Sequence, residues 1–159
     1  RLVQPGKLLD EWAEHWRQRD VNRSRWYTFV EHPRLLIDRL SELVKESGVD
    51  FPWAFTGAAA ANIYAPLLTH VDSAEIIVPP GYATILGTTL NMKPAPKGSN
   101  VTIVERGGAS LQFRECSPLH SPYFASPYIQ YLDLLDGRGR NKELAIHLRE
   151  RLEQKWVTA

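Results

Sequence analysis

Two short stretches of the chain carry side-chain types that could do chemistry, and a helical pattern separates them. Thr56 and Gly57 follow a short apolar run and precede an alanine-rich segment, which predicts a tight turn at the start of a helix. Backbone N–H groups at a helix start can hold an anion such as a phosphate. Three apolar residues follow Glu75, and the run Glu75–Val78 predicts a buried strand that carries an acidic group. The spacing therefore raises the question of a phosphate site followed by a metal-binding strand.

Nucleotidyltransferases of the polymerase-beta type have the same order of features. In these enzymes a Gly-Gly or Gly-Ser turn holds a nucleotide phosphate, and the next strand carries an Asp-x-Asp pair that binds magnesium. When Glu75–Val78 is placed on that strand, Ser73 occupies the position of the first acid, and Asp72 is one residue off and faces the other way. Because one acid is missing, we predict no catalytic residue, no metal and no cofactor. The predicted remnant of a nucleotide site consists of Thr56, Gly57, Ser73 and Glu75. An active metal-dependent nucleotidyltransferase is the alternative.

The other residues that often carry chemistry show no catalytic or metal-binding spacing. The five histidines do not form an HExxH motif, and no serine lies in a G-x-S-x-G motif. Cys116 is the only cysteine, which excludes an intrachain disulfide and a cysteine-based zinc site. We expect Cys116 to be a small buried side chain.

One compact basic motif, Gly137-Arg138-Gly139-Arg140, lies between two predicted helices. Arg138 and Arg140 could bind a phosphate or a carboxylate from this turn. Alternatively, the glycines form the turn and the arginines interact with the last carbonyls of the preceding helix. The sequence leaves both interpretations open. A second basic pair, Arg23 and Arg25, is interpreted as a solvated strand edge.

Length and composition limit the class of protein. A chain of 159 residues has the size of one domain, so residues 1–159 are predicted to form a single unit. The 19 basic and 18 acidic residues create no overall field that would attract nucleic acid or a membrane. No apolar run approaches the roughly 18 residues of a membrane helix. We therefore predict a soluble cytoplasmic protein, and the initial Arg1 suggests a missing upstream segment.

Hydrophobic periodicity predicts the elements that position these residues. Helices are predicted over Pro5–Arg19, Pro33–Ser47, Ala58–Tyr64, Pro127–Leu135 and Asn141–Trp156, the last of them capped by Asn141. Strands are predicted over Val21–Val30, Trp53–Phe55 and Glu75–Val78, with an extended segment at Thr88–Lys93 and a hairpin formed by Asn100–Glu105 and Ser110–Cys116. Trp12 and Trp16, one helical turn apart, are expected to be core anchors or part of a partner-binding face. This order predicts a mixed α/β fold with one central mixed sheet and flanking helices.

Three stretches in order resemble a known family. They are KLLDEWAEHW, AFTGAAAANIYAP and SPYIQYLDLLDGRGRNKELAIHLRE, and together they span most of the chain. The set resembles the AbiEi-type antitoxin and transcriptional-regulator family of type IV toxin–antitoxin systems. The resemblance implies a non-enzymatic C-terminal domain that follows a winged-helix DNA-binding domain. It also implies repression of its own operon and a partner toxin that is itself nucleotidyltransferase-like. The segment Gly81–Gly108 matches no motif of the family.

The residues and the resemblance together predict a degenerate nucleotidyltransferase-like domain that acts by binding. Its expected role is the regulatory or antitoxin part of a DNA-binding protein, with a cognate toxin as partner and DNA bound mainly through the missing N-terminal domain. No membrane contact is expected. One alternative is the metal-dependent nucleotidyltransferase described above. Another is a stand-alone oligomerisation domain that forms a homo-oligomer through Trp12, Trp16 or the last helix.

Overall fold

A mixed β-sheet forms the centre of the computed structural model, which describes residues 4–116, 122–135 and 139–158. Its seven described strands are β1 (Asn22–Tyr27), β2 (Ala54–Thr56), β3 (Ala74–Val78), β4 (Lys93–Pro94), β5 (Val101–Glu105), β6 (Glu115–Cys116) and β7 (Tyr123–Phe124). They are arranged in the order β4-β1-β5-β3-β2-β7-β6. Strand β3 runs parallel to β5 and antiparallel to β2, and β1 runs antiparallel to β5. The predicted mixed sheet is therefore confirmed.

Helices flank this sheet. The α-helices are α1 (Pro5–Arg17), α2 (Leu36–Ser47), α3 (Gly57–Tyr64), α4 (Ala83–Thr89), α5 (Ala109–Gln112), α6 (Pro127–Leu135) and α7 (Asn141–Thr158), and a 3₁₀ turn at Pro33–Leu35 leads into α2. The five helices predicted from periodicity are present, with boundaries that differ by a few residues. The predicted cap at Asn141 is off by one residue, because Asn141 is already the first residue of α7. Arg140 occupies the position before the helix, and its carbonyl accepts the N–H of Leu144 at 3.0 Å.

Strand alternation divides the sheet into two faces, and each face has its own core. One face carries Trp26, Ile76 and Ile103, which pack in a cluster with residues of α2 and α4. The other face carries Ala54 and Ile77, which pack in a second cluster with residues of α1, α6 and α7. The molecule is thus a helix–sheet–helix sandwich, which buries both faces of the central strands.

The predicted core role of the two tryptophans of α1 is confirmed. Trp16 is buried in the cluster beneath α6 and α7, and Trp12 packs against the same cluster while half-buried. The two rings meet edge to face, with centroids 6.2 Å apart. Aromatic pairs in this arrangement add to the energy of burial.

The predicted hairpin after Asn100 is wrong. Strand β5 already pairs with β1 on one side and β3 on the other, so neither of its edges can accept the following segment. That segment instead forms α5 and then β6, which pairs with β7 through the register Glu115↔Phe124. The alternating pattern predicted a strand from local sequence, but the occupied edges of β5 decided otherwise.

Two smaller predictions are also corrected. The segment Thr88–Lys93 is extended only at Lys93, the first residue of β4, because α4 continues to Thr89 and the chain buries Leu86 and Leu90, which are four residues apart. Cys116 is exposed and not buried, because the short edge strand β6 leaves it at the surface. Among the described helices, none combines the length and the apolar character needed to cross a membrane.

Candidate functional site

A buried ion pair between Asp133 and Arg106 lies at the centre of the site. The two terminal nitrogens of Arg106 donate to Oδ1 and Oδ2 of Asp133, each at 2.7 Å. The side chains of Arg106 and Asp133 are only 2% and 3% exposed. Bidentate, charge-assisted bonds of this kind are among the strongest in proteins. The pair joins α6, which carries Asp133, to the end of β5, after which Arg106 follows directly.

Two further donors complete what we call the Asp133 network, formed by Asp133, Arg106, Thr56 and Trp16. The hydroxyl of Thr56 donates to Oδ2 of Asp133 at 2.5 Å, and Nε1 of Trp16 donates to Oδ1 at 3.2 Å. Thr56 precedes α3, but its side chain makes no capping bond to that helix. The two carboxylate oxygens of Asp133 therefore accept four hydrogen bonds from α1, β2 and the end of β5.

Gly57 and Glu75 meet at the start of α3. Thr56 and Glu75 are register partners of β2 and β3, which places Glu75 beside the turn into the helix. Gly57 has a φ of 73°, and a β-carbon at this position would lie 2.7 Å from Oε2 of Glu75. The carboxyl group of Glu75 thus occupies the space beside the first residue of α3, where the sequence had suggested room for a phosphate.

The carboxyl group of Glu75 has an unusual proton affinity. Burial raises its pKa to about 7, and the negative charge of Asp133 adds to this increase, while Arg23 and Arg106 oppose it. Near neutral pH a large share of Glu75 is therefore protonated. A protonated carboxyl group is a poor ligand for a divalent metal ion.

The remaining member of the predicted remnant, Ser73, is less central. Ser73 is exposed and directly precedes β3, outside the Asp133 network. On the sheet, the neighbours of Glu75 are Thr56 on one side and Thr102 on the other, so no carboxylate flanks it there. Over the described part of the chain, no group of three or more His, Cys, Asp or Glu side chains could hold a metal ion. The structure thus brings Thr56, Gly57 and Glu75 together and leaves Ser73 at the margin.

The basic motif between α6 and α7 is described only at Gly139 and Arg140. Arg138 lies outside the described residues. Arg140 is well exposed, and its Nε is 3.8 Å from Oε2 of Glu143 in the first turn of α7. Glu143 therefore contacts a guanidinium, in a surface ion pair with little energy of its own.

Sequence reasoning missed the two charged residues at the centre of the site. The sequence pattern places Arg106 in a hairpin turn and shows Asp133 only as part of a family motif. A signal for Asp133 does exist, because the helix around it is almost entirely buried, including Leu132 and Leu134. An acidic residue in such a helix requires a buried partner. The identity of that partner does not follow from the local sequence.

The Asp133 network also links the three stretches that resemble a family. Trp16 lies in the first stretch, Thr56 in the second and Asp133 in the third. No curated protein and no solved structure matches the chain. A family model described as a transcriptional regulator, AbiEi antitoxin, type IV TA system matches residues 1–154. Because this match covers nearly the whole chain, the protein belongs to the AbiEi antitoxin family of transcriptional regulators in type IV toxin–antitoxin systems.

Proposed function

We propose that this chain is a non-catalytic regulatory and antitoxin domain with a degenerate nucleotidyltransferase-like arrangement. The observation that carries the proposal is the state of Asp133, whose two oxygens accept bonds from Arg106, Thr56 and Trp16. Magnesium needs carboxylate oxygens that can enter its octahedral shell. The carboxylate of Asp133 is instead committed to holding three parts of the fold together.

The second acidic group also supports a binding role. Glu75 is packed against Gly57 and has a pKa of about 7, so it offers neither open space nor a full negative charge at neutral pH. Ser73, at the position where the enzyme motif has its first acid, contributes no charge at all. A metal–nucleotide complex would find one partly protonated ligand where two ionised carboxylates are needed.

We further propose how the domain takes part in regulation. DNA is recognised mainly by a winged-helix domain upstream of this chain, and the domain described here supplies the antitoxin action against a cognate toxin in the cytoplasm. The nearly even balance of 19 basic and 18 acidic residues supports this division, because a main DNA-binding surface normally carries excess positive charge. The burial of Trp16 in the chain's own core argues against a dimer built on that residue.

A growth assay tests the antitoxin role. The chain is co-expressed with the toxin encoded beside it, and cell growth is compared for the wild type, Glu75→Gln and the surface control Glu46→Gln. We expect both variants to restore growth as well as the wild type, since the proposed action needs no ionised Glu75. Failure of the wild-type chain to restore growth, while the chain is present in folded form, would contradict the antitoxin role.

A second assay tests the absence of catalysis. Purified chain is incubated with magnesium, labelled nucleoside triphosphates and either toxin or transfer RNA as acceptor. We expect no transferred label above the background of a chain-free reaction. Transfer that requires magnesium and disappears in Glu75→Gln, but persists in Glu46→Gln, would establish the nucleotidyltransferase alternative.

A further inference from the structure

We propose that a small cleft between α1 and β1 binds the phosphate group of a small molecule. This arginine cleft has a volume of about 20 Å³ and is lined by Trp16, Arg19, Val21, Arg23 and Arg106. It shares Trp16 and Arg106 with the Asp133 network and contains no residue of the predicted nucleotide-site remnant. The proposal does not depend on the antitoxin role, because it concerns the binding of a small anion and is tested without a toxin.

Carboxyl groups of the protein offset only part of the positive charge at the arginine cleft: Asp133 pairs with Arg106, and Glu75 interacts electrostatically with Arg23 and Arg106. Three of its lining side chains are guanidiniums, which stay protonated at any physiological pH. Within the described residues, Arg106 has a carboxylate partner within 4.0 Å, whereas Arg19 and Arg23 have none. The potential at the cleft is therefore positive, and an anion there would be attracted.

A buried donor in the cleft lacks an acceptor. Both terminal nitrogens of Arg106 donate to Asp133, but its Nε has no hydrogen-bond partner among the described residues. Arg106 is 3% exposed, so this N–H group is shielded from bulk water. A buried donor without an acceptor is costly, so a ligand oxygen that reaches this N–H group from the cleft would be favoured.

Trp16 holds two of the cations in place. The guanidinium carbons of Arg19 and Arg106 lie 4.8 Å and 4.7 Å from the centroid of its ring. The indole N–H is itself bonded to Asp133 at 3.2 Å, which fixes the orientation of the ring. Cation–π contacts of this kind stabilise both guanidiniums beside the Trp16 ring.

The number and origin of the donors favour a phosphate over a carboxylate. Both terminal nitrogens of Arg106 donate to Asp133, so Arg106 can offer a ligand only its Nε–H group. Arg19 and Arg23 supply further N–H donors from separate positions. Three independent donors suit the three terminal oxygens of a phosphate better than the two coplanar oxygens of a carboxylate. A volume of about 20 Å³ exceeds the ~10–15 Å³ that one water requires, so one oxygen enters and the rest remain at the mouth.

Calorimetric titration tests the proposal with matched arginine variants. The whole chain is titrated at neutral pH and constant ionic strength with inorganic phosphate, with AMP and with acetate. Arg19→Ala and Arg23→Ala remove exposed lining residues, and Arg25→Ala is the control because Arg25 is exposed on the same strand but does not line the cleft. Thermal melting of each variant verifies that it is folded.

We expect saturable binding of phosphate or AMP, weakened roughly tenfold or more by Arg19→Ala and Arg23→Ala and unchanged by Arg25→Ala. Tighter binding of AMP than of phosphate would assign the ligand as a nucleotide, and equal binding would assign the phosphate group alone. The proposal is overturned if phosphate and AMP show no saturable binding, or if acetate binds as tightly as phosphate. It is also overturned if Arg23→Ala and Arg25→Ala lose the same affinity for phosphate. Binding of a DNA duplex without binding of either phosphate compound would also overturn it.

Discussion

Gly57 faces Glu75 so closely that a β-carbon at position 57 would lie 2.7 Å from the carboxylate oxygen Oε2 and 2.9 Å from Cδ of that side chain. The contact joins the start of α3 to β3 and closes the space beside the helix start. Burial raises the pKa of Glu75 to about 7, and the negative charge of Asp133 adds to this increase. The position of Glu75 beside Gly57 thus explains the loss of room for a phosphate, and its burial explains its weak acidity.

Replacement of Gly57 by alanine should destabilise the protein through two separable effects. The first is the positive φ of 73°, and the second is the collision with Glu75. Gly98 has a φ of 72°, and no atom lies within 4 Å of the point that a β-carbon would occupy there, so Gly98→Ala measures the first effect alone. We expect about 1 kcal/mol of destabilisation for Gly98→Ala and at least about 1 kcal/mol more for Gly57→Ala. Urea unfolding measures both, and equal losses would contradict the close contact.

The raised pKa of Glu75 predicts a specific dependence of stability on pH. The folded protein holds this proton up to a pKa of about 7, whereas the unfolded chain releases it near 4.5. Between these values the folded state binds more protons, so the contribution of Glu75 makes the free energy of unfolding fall as pH rises. Glu75→Gln should remove this penalty and stabilise the protein above neutral pH by at most about 3 kcal/mol.

The measurement is a series of urea unfolding curves from acid to alkaline pH, with Glu46→Gln as an exposed control. The wild type and Glu46→Gln should lose stability in parallel across the window, while Glu75→Gln loses less. If Glu75→Gln follows the same pH dependence as the wild type, the carboxyl group titrates normally and its raised pKa is refuted.

Removal of one partner of the Asp133–Arg106 pair should cost much more than removal of both. Arg106→Met or Asp133→Leu alone leaves a buried charge without its partner, and we expect a loss of about 3–5 kcal/mol. The double variant should lose less than either single variant. It should not regain full stability, because Thr56 and Trp16 also lose their acceptor.

A surface pair provides the reference for this cycle. Arg39 and Glu42 are 3.5 Å apart, with side chains 44% and 65% exposed, and Arg39→Met should change stability by less than about 1 kcal/mol. Denaturant unfolding gives all the values. A double variant that loses the sum of the two single losses would show that Arg106 and Asp133 are not coupled.

Arg140 should contribute little to stability. Its side chain is 67% exposed, and its ion pair with Glu143 spans 3.8 Å at the surface. We expect Arg140→Ala to change the free energy of unfolding by less than about 0.5 kcal/mol, as should the exposed control Lys142→Ala. A loss above about 1.5 kcal/mol in Arg140→Ala alone would instead support a role in capping a helix.

Local sequence was sufficient to predict many of the elements. The helices that carry Trp16 and Asp133 were predicted because their apolar residues recur with the helical period and because proline or glycine marks their ends. The turn at Thr56 and Gly57 was predicted because these residues interrupt a short apolar run before an alanine-rich segment, and glycine readily adopts the positive φ that a tight turn can require. The family resemblance, confirmed over residues 1–154, rested on these same local stretches.

Tertiary structure alone decided the central contacts of the site. Arg106 is 27 residues from Asp133, and Thr56 is 77 residues from it, so no local pattern specifies these bonds. The segment after β5 does not pair with β5 because both edges of β5 are occupied, which is a property of the assembled sheet. The pKa of Glu75 depends likewise on burial and on charges brought from other elements. Periodicity acts between neighbours in sequence, whereas edge pairing, desolvation and charge coupling depend on neighbours in space.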